Sequence, residues 1–178
     1  MNNDMQTMAV INPRTGKEDF NLPLFSAQNV VDIAQQLKQQ QTQWWALGLS
    51  GRIQALENLA DAMAEHKPKL VAALVNDTGR ASESELEVDV TISGIHRWCK
   101  QAPGLLAKSE PWAAEIPFIE LQQDYLPYPL VGVISPWNFP LLLSLVDAIP
   151  ALLAGSAVLI KPSEVTSRFV TPFNELLS

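Results

Sequence analysis

The sequence is poor in several features that mark particular classes of protein. It has one cysteine among 178 residues, so an intrachain disulfide is impossible and nothing indicates an oxidising compartment. Charged residues make up only 17%, and the formal net charge of -7 argues against partners such as nucleic acid or an anionic membrane surface. We therefore expect a cytoplasmic globular protein.

Targeting and ligand-binding signatures are also scarce. The N-terminus is polar and has no basic segment followed by an apolar one, which argues against a signal peptide. The longest apolar run, residues 141–160, contains polar residues, a proline and a glycine, which argues against a membrane span. Two separated histidines, His66 and His96, and no clustered acids argue against a metal site. Neither a G-x-G-x-x-G nor a Walker-type loop occurs.

What the sequence does contain is a strand–helix–strand unit. Leu130–Ile134 is a short, β-branched run typical of a strand buried on both faces. Residues 141–154 are apolar nearly all round, which predicts a buried helix. Pro140 suits its first turn and Gly155 its end, while Pro150 predicts a kink or a division. Residues 157–160 predict a second, parallel strand. Such units place ligands at the carboxyl ends of their strands.

Four amphipathic helices are predicted upstream of this unit, as a layer that needs a surface to pack on. Their predicted starts are Ser26, Ser50, Pro68 and either Ser82 or Ser84. Gly79 should end the third helix. Residues 103–117 predict a loop, 118–128 an extended edge segment with prolines, and 166–177 a last helix.

Three motifs carry a resemblance to the NAD(P)-dependent aldehyde dehydrogenase superfamily. They are Ser135-Pro-Trp-Asn-Phe-Pro140, Ala151-Leu-Leu-Ala-Gly-Ser156 and Leu159-Ile-Lys-Pro-Ser-Glu164, in family order and spacing. The resemblance implies an α/β fold with N-terminal helices and the first part of a Rossmann-like parallel sheet, which is incomplete. All 178 residues then form the N-terminal part of the cofactor-binding domain, with the catalytic domain absent. Its parts are a helical layer at about 26–102, an edge excursion at about 116–128 and a nucleotide-binding unit at about 129–178.

The resemblance also implies an activity, the oxidation of an aldehyde to a carboxylic acid through a cysteine thioester. It gives Asn138 the role of stabilising the oxyanion that forms when a thiolate attacks the aldehyde. It assigns contact with the cofactor to seven residues. These are Ile134, Ser135, Pro136, Trp137, Lys161, Ser163 and Glu164. An acid that accepts from ribose hydroxyls disfavours a 2′-phosphate, so Glu164 predicts NAD, with NADP possible.

Each of these residues also has an ordinary structural interpretation. Asparagine before a helix usually caps it, so Asn138 could cap the helix that starts at Pro140. Lys161 and Glu164 could form a solvated surface pair. The family motifs favour the catalytic and cofactor-binding interpretations.

Cys99 is tested as a nucleophile because the family's chemistry is that of a thiolate. His96, Arg97 and Lys100 lie nearby and could lower its pKa. However, Cys99 lies on a predicted amphipathic helix upstream of the cofactor motif, whereas the family's cysteine lies far downstream, so we interpret Cys99 as a core or boundary residue. The catalytic cysteine and the general-base glutamate are then missing, and we expect the chain alone to be inactive.

Two other functions remain open. One is a non-catalytic nucleotide-binding or assembly module; the other is an acylating, CoA-dependent aldehyde dehydrogenase with the same fold. The resemblance further implies a small aldehyde as the substrate of the complete enzyme and a homo-oligomer formed through residues 118–128.

Overall fold

Six helices and six strands make up the part of the chain that the computed structural model describes, residues 6–177. The strands are β1 (Thr7–Ile11), β2 (Glu18–Pro23), β3 (Trp112–Ala113), β4 (Glu120–Leu121), β5 (Leu130–Ile134) and β6 (Ala157–Lys161). The helices are α1 (Ala27–Ala46), α2 (Gly48–Glu65), α3 (Lys67–Thr78), α4 (Ala81–Leu105), α5 (Pro140–Ala154) and α6 (Val170–Glu175). None of the helices in this range is long and apolar enough to cross a membrane.

The four predicted N-terminal helices are confirmed, and so are several of their ends. Ser26 caps α1, since its Oγ accepts from the Asn29 N–H at 3.1 Å while Asn29 Oδ1 accepts from the Ser26 N–H at 3.0 Å. Pro68 lies in the first turn of α3. Gly79 ends α3 in the left-handed conformation, with a φ of 71°.

Two helix boundaries differ from the prediction. Helix α2 begins at Gly48 rather than Ser50, because Gly48 adopts a φ of 66° and reverses the chain directly after α1. Helix α4 begins at Ala81 and runs through Pro103 to Leu105, where a loop was predicted. Pro103 is tolerated because it falls in the last turn, which the bond from Leu106 N–H to the Ala102 carbonyl still closes at 2.9 Å.

The edge segment and the last helix are both shorter than predicted. Strand β4 covers only Glu120–Leu121 and pairs with the equally short β3. Phe118 has a φ of 70° and prolines flank the segment, so a longer ladder cannot form. Helix α6 begins at Val170 rather than at Thr166. The backbone N–H of Arg168 donates to Asp77 at 2.8 Å, so this stretch is tied to α3 instead of being helical.

A buried arginine joins the first hairpin to the rest of the molecule. Strands β1 and β2 form an antiparallel pair around a turn at Asn12 to Gly16. The guanidinium of Arg168 pairs with Asp19 on β2 and with Asp77 on α3. Burial raises the pKa of Asp77, while its bonds to Arg168 act in the opposite direction. Removing the Arg168 side chain would leave the buried Asp77 carboxyl without its guanidinium partner.

The predicted strand–helix–strand unit is confirmed. Strands β5 and β6 are parallel and in register from Leu130 opposite Ala157 to Ile134 opposite Lys161. Strand β5 is less buried than predicted, since only Val133 is buried and Ile134 is 84% exposed. Helix α5 is buried against α2 and α4, and it is continuous through Pro150. The missing N–H of Pro150 faces the carbonyl of Val146, which lies on the exposed side of the helix.

The C-terminal end of α5 is held by side chains from the helical layer. Gln41 and Trp44 on α1 donate to the carbonyls of Gly155 and Leu152, both at 2.8 Å. Arg52 on α2 donates through Nε to the Leu153 carbonyl at 3.0 Å. Carbonyls in the last turn of a helix lack their usual partner four residues on, so donors from the helical layer help to satisfy them; the Leu152 carbonyl also accepts from the Gly155 N–H at 3.0 Å. Gln41 belongs to a glutamine-rich stretch whose pattern indicates only a solvated helix face.

Replacing Gly155 with alanine should destabilise the fold by about 2–4 kcal/mol. Gly155 has a φ of 101°, and a Cβ there would overlap the indole ring of Trp45. We expect chemical denaturation to show a lower unfolding midpoint for Gly155→Ala. Gly94→Ala is the control, because Gly94 lies inside α4 with no atom within 4 Å of an added Cβ, and alanine should stabilise a helix there. Equal stability of Gly155→Ala and the wild type would contradict this account of the packing.

Candidate functional site

The carboxyl ends of β5 and β6 lie side by side and bring the predicted residues together. Ile134 is the register partner of Lys161, and the N–H of Ser135 donates to the Lys161 carbonyl at 3.0 Å. The segment after β5 carries Ser135 to Asn138, and the segment after β6 carries Ser163 and Glu164. All eight predicted site residues therefore fall on two adjacent segments at one edge of the strand pair.

The turn between β5 and α5 is fixed by contacts from several elements. Inside the turn, the Ser135 hydroxyl is buried and donates to the Pro140 carbonyl at 3.3 Å. From the segment after β6, Thr166 Oγ1 donates to the Trp137 carbonyl at 3.1 Å. From the start of α4, the guanidinium of Arg80 donates to the Asn138 carbonyl and lies 5.0 Å from the centre of the Phe139 ring.

The interpretation of Asn138 as a helix cap is wrong. Helix α5 has Phe139 at its N-cap position and receives no hydrogen bond from the side chain of that residue. The Asn138 side chain is exposed and makes no hydrogen bond with any other residue between 6 and 177. Its amide is therefore an available neutral donor at the start of a buried helix.

The start of α5 is instead capped by Glu87, from the second turn of α4. Glu87 Oε1 accepts from the N–H groups of Leu141 and Leu142 at 2.8 and 3.0 Å. Glu87 is 2% exposed, and this burial raises its pKa, while the two N–H donors and the charge of Arg80 act in the opposite direction. The N–H groups of Leu141 and Leu142 are therefore engaged, and the Asn138 side-chain amide remains as a donor for a ligand oxygen at this turn.

Lys161 and Glu164 form an ion pair at the end of β6. Lys161 Nζ lies 2.6 Å from Glu164 Oε2, and both side chains are more than half exposed. The hydrogen bond from Lys161 lowers the pKa of Glu164, so the carboxylate is charged at neutral pH. Ser163 between them is buried, and its Oγ accepts from the Val165 N–H at 3.3 Å. The pair is a surface pair in this structure, with its charges accessible to a polar ligand.

Exposed apolar side chains surround that pair. Ile134, Trp137 and Val165 are all more than half exposed although they lie beside the buried strand ends. An apolar face next to a lysine and a carboxylate suits a flat heteroaromatic ring joined to a sugar, since the ring covers apolar atoms and the hydroxyls meet the charges. The residues present therefore fit a dinucleotide cofactor.

Cys99 lies away from this edge, on the side of α4 that faces α2. It is buried, and its Sγ lies 4.0 Å from the Ile53 carbonyl. Burial, together with the nearby Glu57 carboxylate, raises the pKa of the Cys99 thiol to about 11. The basic neighbours noted in the sequence do not offset this effect, since Arg97 and Lys100 are exposed and His96 pairs with Glu57. The thiol is thus protonated at neutral pH and is a poor nucleophile. Within residues 6–177 no group of three potential metal ligands occurs.

The sequence analysis did not identify Glu87 or Arg80 as residues of this site. For Glu87, the spacing of buried positions on α4 could have indicated its role. The buried positions of α4 follow helical spacing and include Ser84, Glu87, Thr91 and Ile95. A glutamate on such a stripe must meet a partner when the helix packs. Arg80 gave no comparable signal, because it precedes α4 and lies outside the buried stripe of that helix.

The whole chain matches the model of the aldehyde dehydrogenase family, over residues 1–178. This chain belongs to the aldehyde dehydrogenase family. A protein of Mycolicibacterium smegmatis, provisionally named as an NADP(+)-dependent succinate-semialdehyde dehydrogenase, is 32% identical over 92% of the chain. The chain spans about a third of the length of such relatives, 32% in this case.

Solved structures of other aldehyde dehydrogenases show the same fold. A protein of Anabaena variabilis, PutA, provisionally described as an aldehyde dehydrogenase, superposes with a TM-score of 0.93 at 48% identity. That match covers 97% of this chain and 36% of the PutA chain. Lactaldehyde dehydrogenase from Escherichia coli superposes with a TM-score of 0.90 at 24% identity, which supports the fold alone. The predicted fold class, an aldehyde dehydrogenase-like α/β fold, is confirmed.

Proposed function

We propose that this chain is the N-terminal part of the cofactor-binding domain of an NAD(P)-dependent aldehyde dehydrogenase. The observation that carries the proposal is the meeting of two segments at the ends of β5 and β6. One presents the free amide of Asn138, and the other presents the Lys161–Glu164 pair. Family membership supplies the reaction, the oxidation of an aldehyde to a carboxylic acid.

In this proposal Asn138 acts on the aldehyde oxygen. When a cysteine thiolate adds to the carbonyl carbon, negative charge moves onto that oxygen, and a neutral amide donor held in place stabilises it. The amide suits this role because no other described residue competes for it and because the turn around it is fixed. Bound nicotinamide cofactor would accept the hydride that leaves the same carbon. Hydrolysis of the resulting thioester releases the acid and restores the thiol.

Lys161, Ser163 and Glu164 are proposed to bind the adenosine ribose, while Ile134 to Trp137 cover the flat part of the cofactor. Two charges act on the choice of cofactor in opposite directions. The Glu164 carboxylate accepts from ribose hydroxyls and repels a 2′-phosphate, whereas the Lys161 ammonium attracts that phosphate. Glu164 alone predicts NAD, yet the provisional name of the M. smegmatis relative carries NADP(+), so the proposal covers both cofactors.

Cofactor binding should respond differently to the loss of each charge. In calorimetric titrations of the 178-residue chain, Glu164→Ala should weaken NAD binding about tenfold and leave NADP binding unchanged or stronger, since a repulsion is removed. Lys161→Ala should weaken NADP binding more than NAD binding. Lys108→Ala and Asp124→Ala are matched controls, because these residues form another exposed pair at 2.6 Å. Binding by a folded wild type that neither Lys161→Ala nor Glu164→Ala alters would exclude this site.

We also propose that the chain does not oxidise aldehydes by itself, because its one thiol is buried and protonated. With succinate semialdehyde or a simple aliphatic aldehyde and either cofactor, absorbance at the reduced-nicotinamide wavelength should rise no faster than without protein. Turnover that disappears in Cys99→Ser would overturn this proposal. Cofactor binding without turnover is equally the behaviour of a non-catalytic nucleotide-binding module.

Self-association through residues 118–128 is a further part of the proposal. Phe118, Leu126 and Tyr128 are almost fully exposed on this excursion, which is more apolar surface than a short loop normally shows to solvent. Sedimentation velocity should show a species larger than the monomer that becomes smaller in a Phe118→Ser, Leu126→Ser double variant. Ile11→Ser, which removes an exposed apolar side chain from β1, should not change the distribution. A wild type that is monomeric at all concentrations would contradict the assignment.

A further inference from the structure

Glu87 places a carboxylate in the protein interior, where burying a charged group costs free energy unless it is hydrogen-bonded. It lies on the buried stripe of α4, between Ser84 and Val88, at 2% exposure. Both of its hydrogen bonds within residues 6–177 go to backbone N–H groups of α5. An apolar residue would pack there at lower cost, so the position is explained by what the carboxylate holds.

The Glu87 carboxylate holds the first turn of α5. Leu141 and Leu142 are the second and third residues of that helix, and Asn138 stands three residues before Leu141. The connection is short and stiff, because Pro140 has a fixed φ and Phe139 is held under the Arg80 guanidinium. A fixed position for the Leu141 and Leu142 N–H groups therefore fixes the backbone that carries the Asn138 side chain.

Arg80 completes the contact from the same helix. It stands at the N-cap position of α4, seven residues before Glu87, so the two side chains lie about two turns apart on one face. Arg80 binds the carbonyl side of the turn and Glu87 binds the N–H side. Helix α4 thus holds the Asn138 turn from both directions.

We propose that Glu87 is a positioning residue, which sets the orientation of Asn138 by capping α5 from α4. The role given to Asn138 rests on the proposed function; the cap itself does not. We expect the cap to depend on the length of the side chain, which brings its oxygen to the two N–H groups, and not on the charge of that oxygen. A glutamine keeps an acceptor oxygen at the same distance, whereas an aspartate keeps the charge but withdraws the oxygen by one methylene group.

Two conservative variants separate reach from charge. In ¹⁵N NMR spectra of the 178-residue chain, Glu87→Asp should speed hydrogen exchange at Leu141 and Leu142 about tenfold or more and shift the side-chain amide signals of Asn138. Glu87→Gln should leave these signals close to those of the wild type. Glu83→Gln is the charge-matched control, because Glu83 is exposed in the first turn of the same helix. Glu87→Ala should behave like Glu87→Asp if it folds.

The outcomes are decisive whether or not the proposed function holds. Wild-type exchange and Asn138 signals in Glu87→Asp would overturn the proposal, and so would a disturbance in Glu87→Gln equal to that in Glu87→Asp. A merely structural role predicts the same change in signals across the whole chain instead of one confined to residues 135–142. Cofactor titration of Glu87→Asp gives the link to function. We expect the cofactor to bind about tenfold more weakly than to the wild type, because Ile134 to Trp137, which are proposed to cover the cofactor, lead into the same turn. If the wild type binds no cofactor, the proposed function fails while the exchange data still test the cap.

Discussion

The need to satisfy the backbone of one buried helix shapes most of this structure. Helix α5 is apolar nearly all round and is largely buried, so water has little access to the unpaired groups at its two ends. Each buried group left without a partner would cost about 1–3 kcal/mol. Glu87 meets the N–H groups at one end, and Gln41, Trp44 and Arg52 meet the carbonyls at the other. The helical layer therefore covers α5 with apolar side chains and also supplies hydrogen-bond partners to both of its ends. We call these partners, Glu87, Gln41, Trp44 and Arg52, the polar frame.

This frame also explains why the site lies at one edge of the strand pair. Because both ends of α5 are fixed, the turn that enters it from β5 has little freedom, and the close register of β5 with β6 brings Lys161 to the same edge. Asn138 then stands on a rigid backbone with a free side chain. The side chains of Lys161 and Glu164, in contrast, are exposed and pair with each other at the surface, so their conformation can adjust to a ligand. The two segments at this edge differ in rigidity for a structural reason.

Sequence reasoning was most successful where local chemistry decides the structure. The cap at Ser26, the end at Gly79 and the strand–helix–strand unit follow from short-range patterns, and the family follows from three spaced motifs. It was less successful where distant residues decide. The start of α6 is displaced by a bond to Asp77, and the cap of α5 comes from Glu87 rather than Asn138. Helical spacing marks Glu87 as buried but cannot name its partner, since the partner is a backbone group.

The sequence positions of these partners have a consequence for biosynthesis. The side chains that complete α5 lie between 54 and 114 residues before the groups they bind, and all of them precede the helix in the chain. Such contacts close long loops, so the 178-residue chain must find them against an entropic cost when it refolds from denaturant. A chain emerging from the ribosome meets them in a better order. Gln41, Trp44, Arg52 and Glu87 have all been synthesised, and α1 to α4 can have formed, before the first residue of α5 leaves the exit tunnel. The side chains that satisfy the two ends of α5 are therefore available before α5 itself can fold.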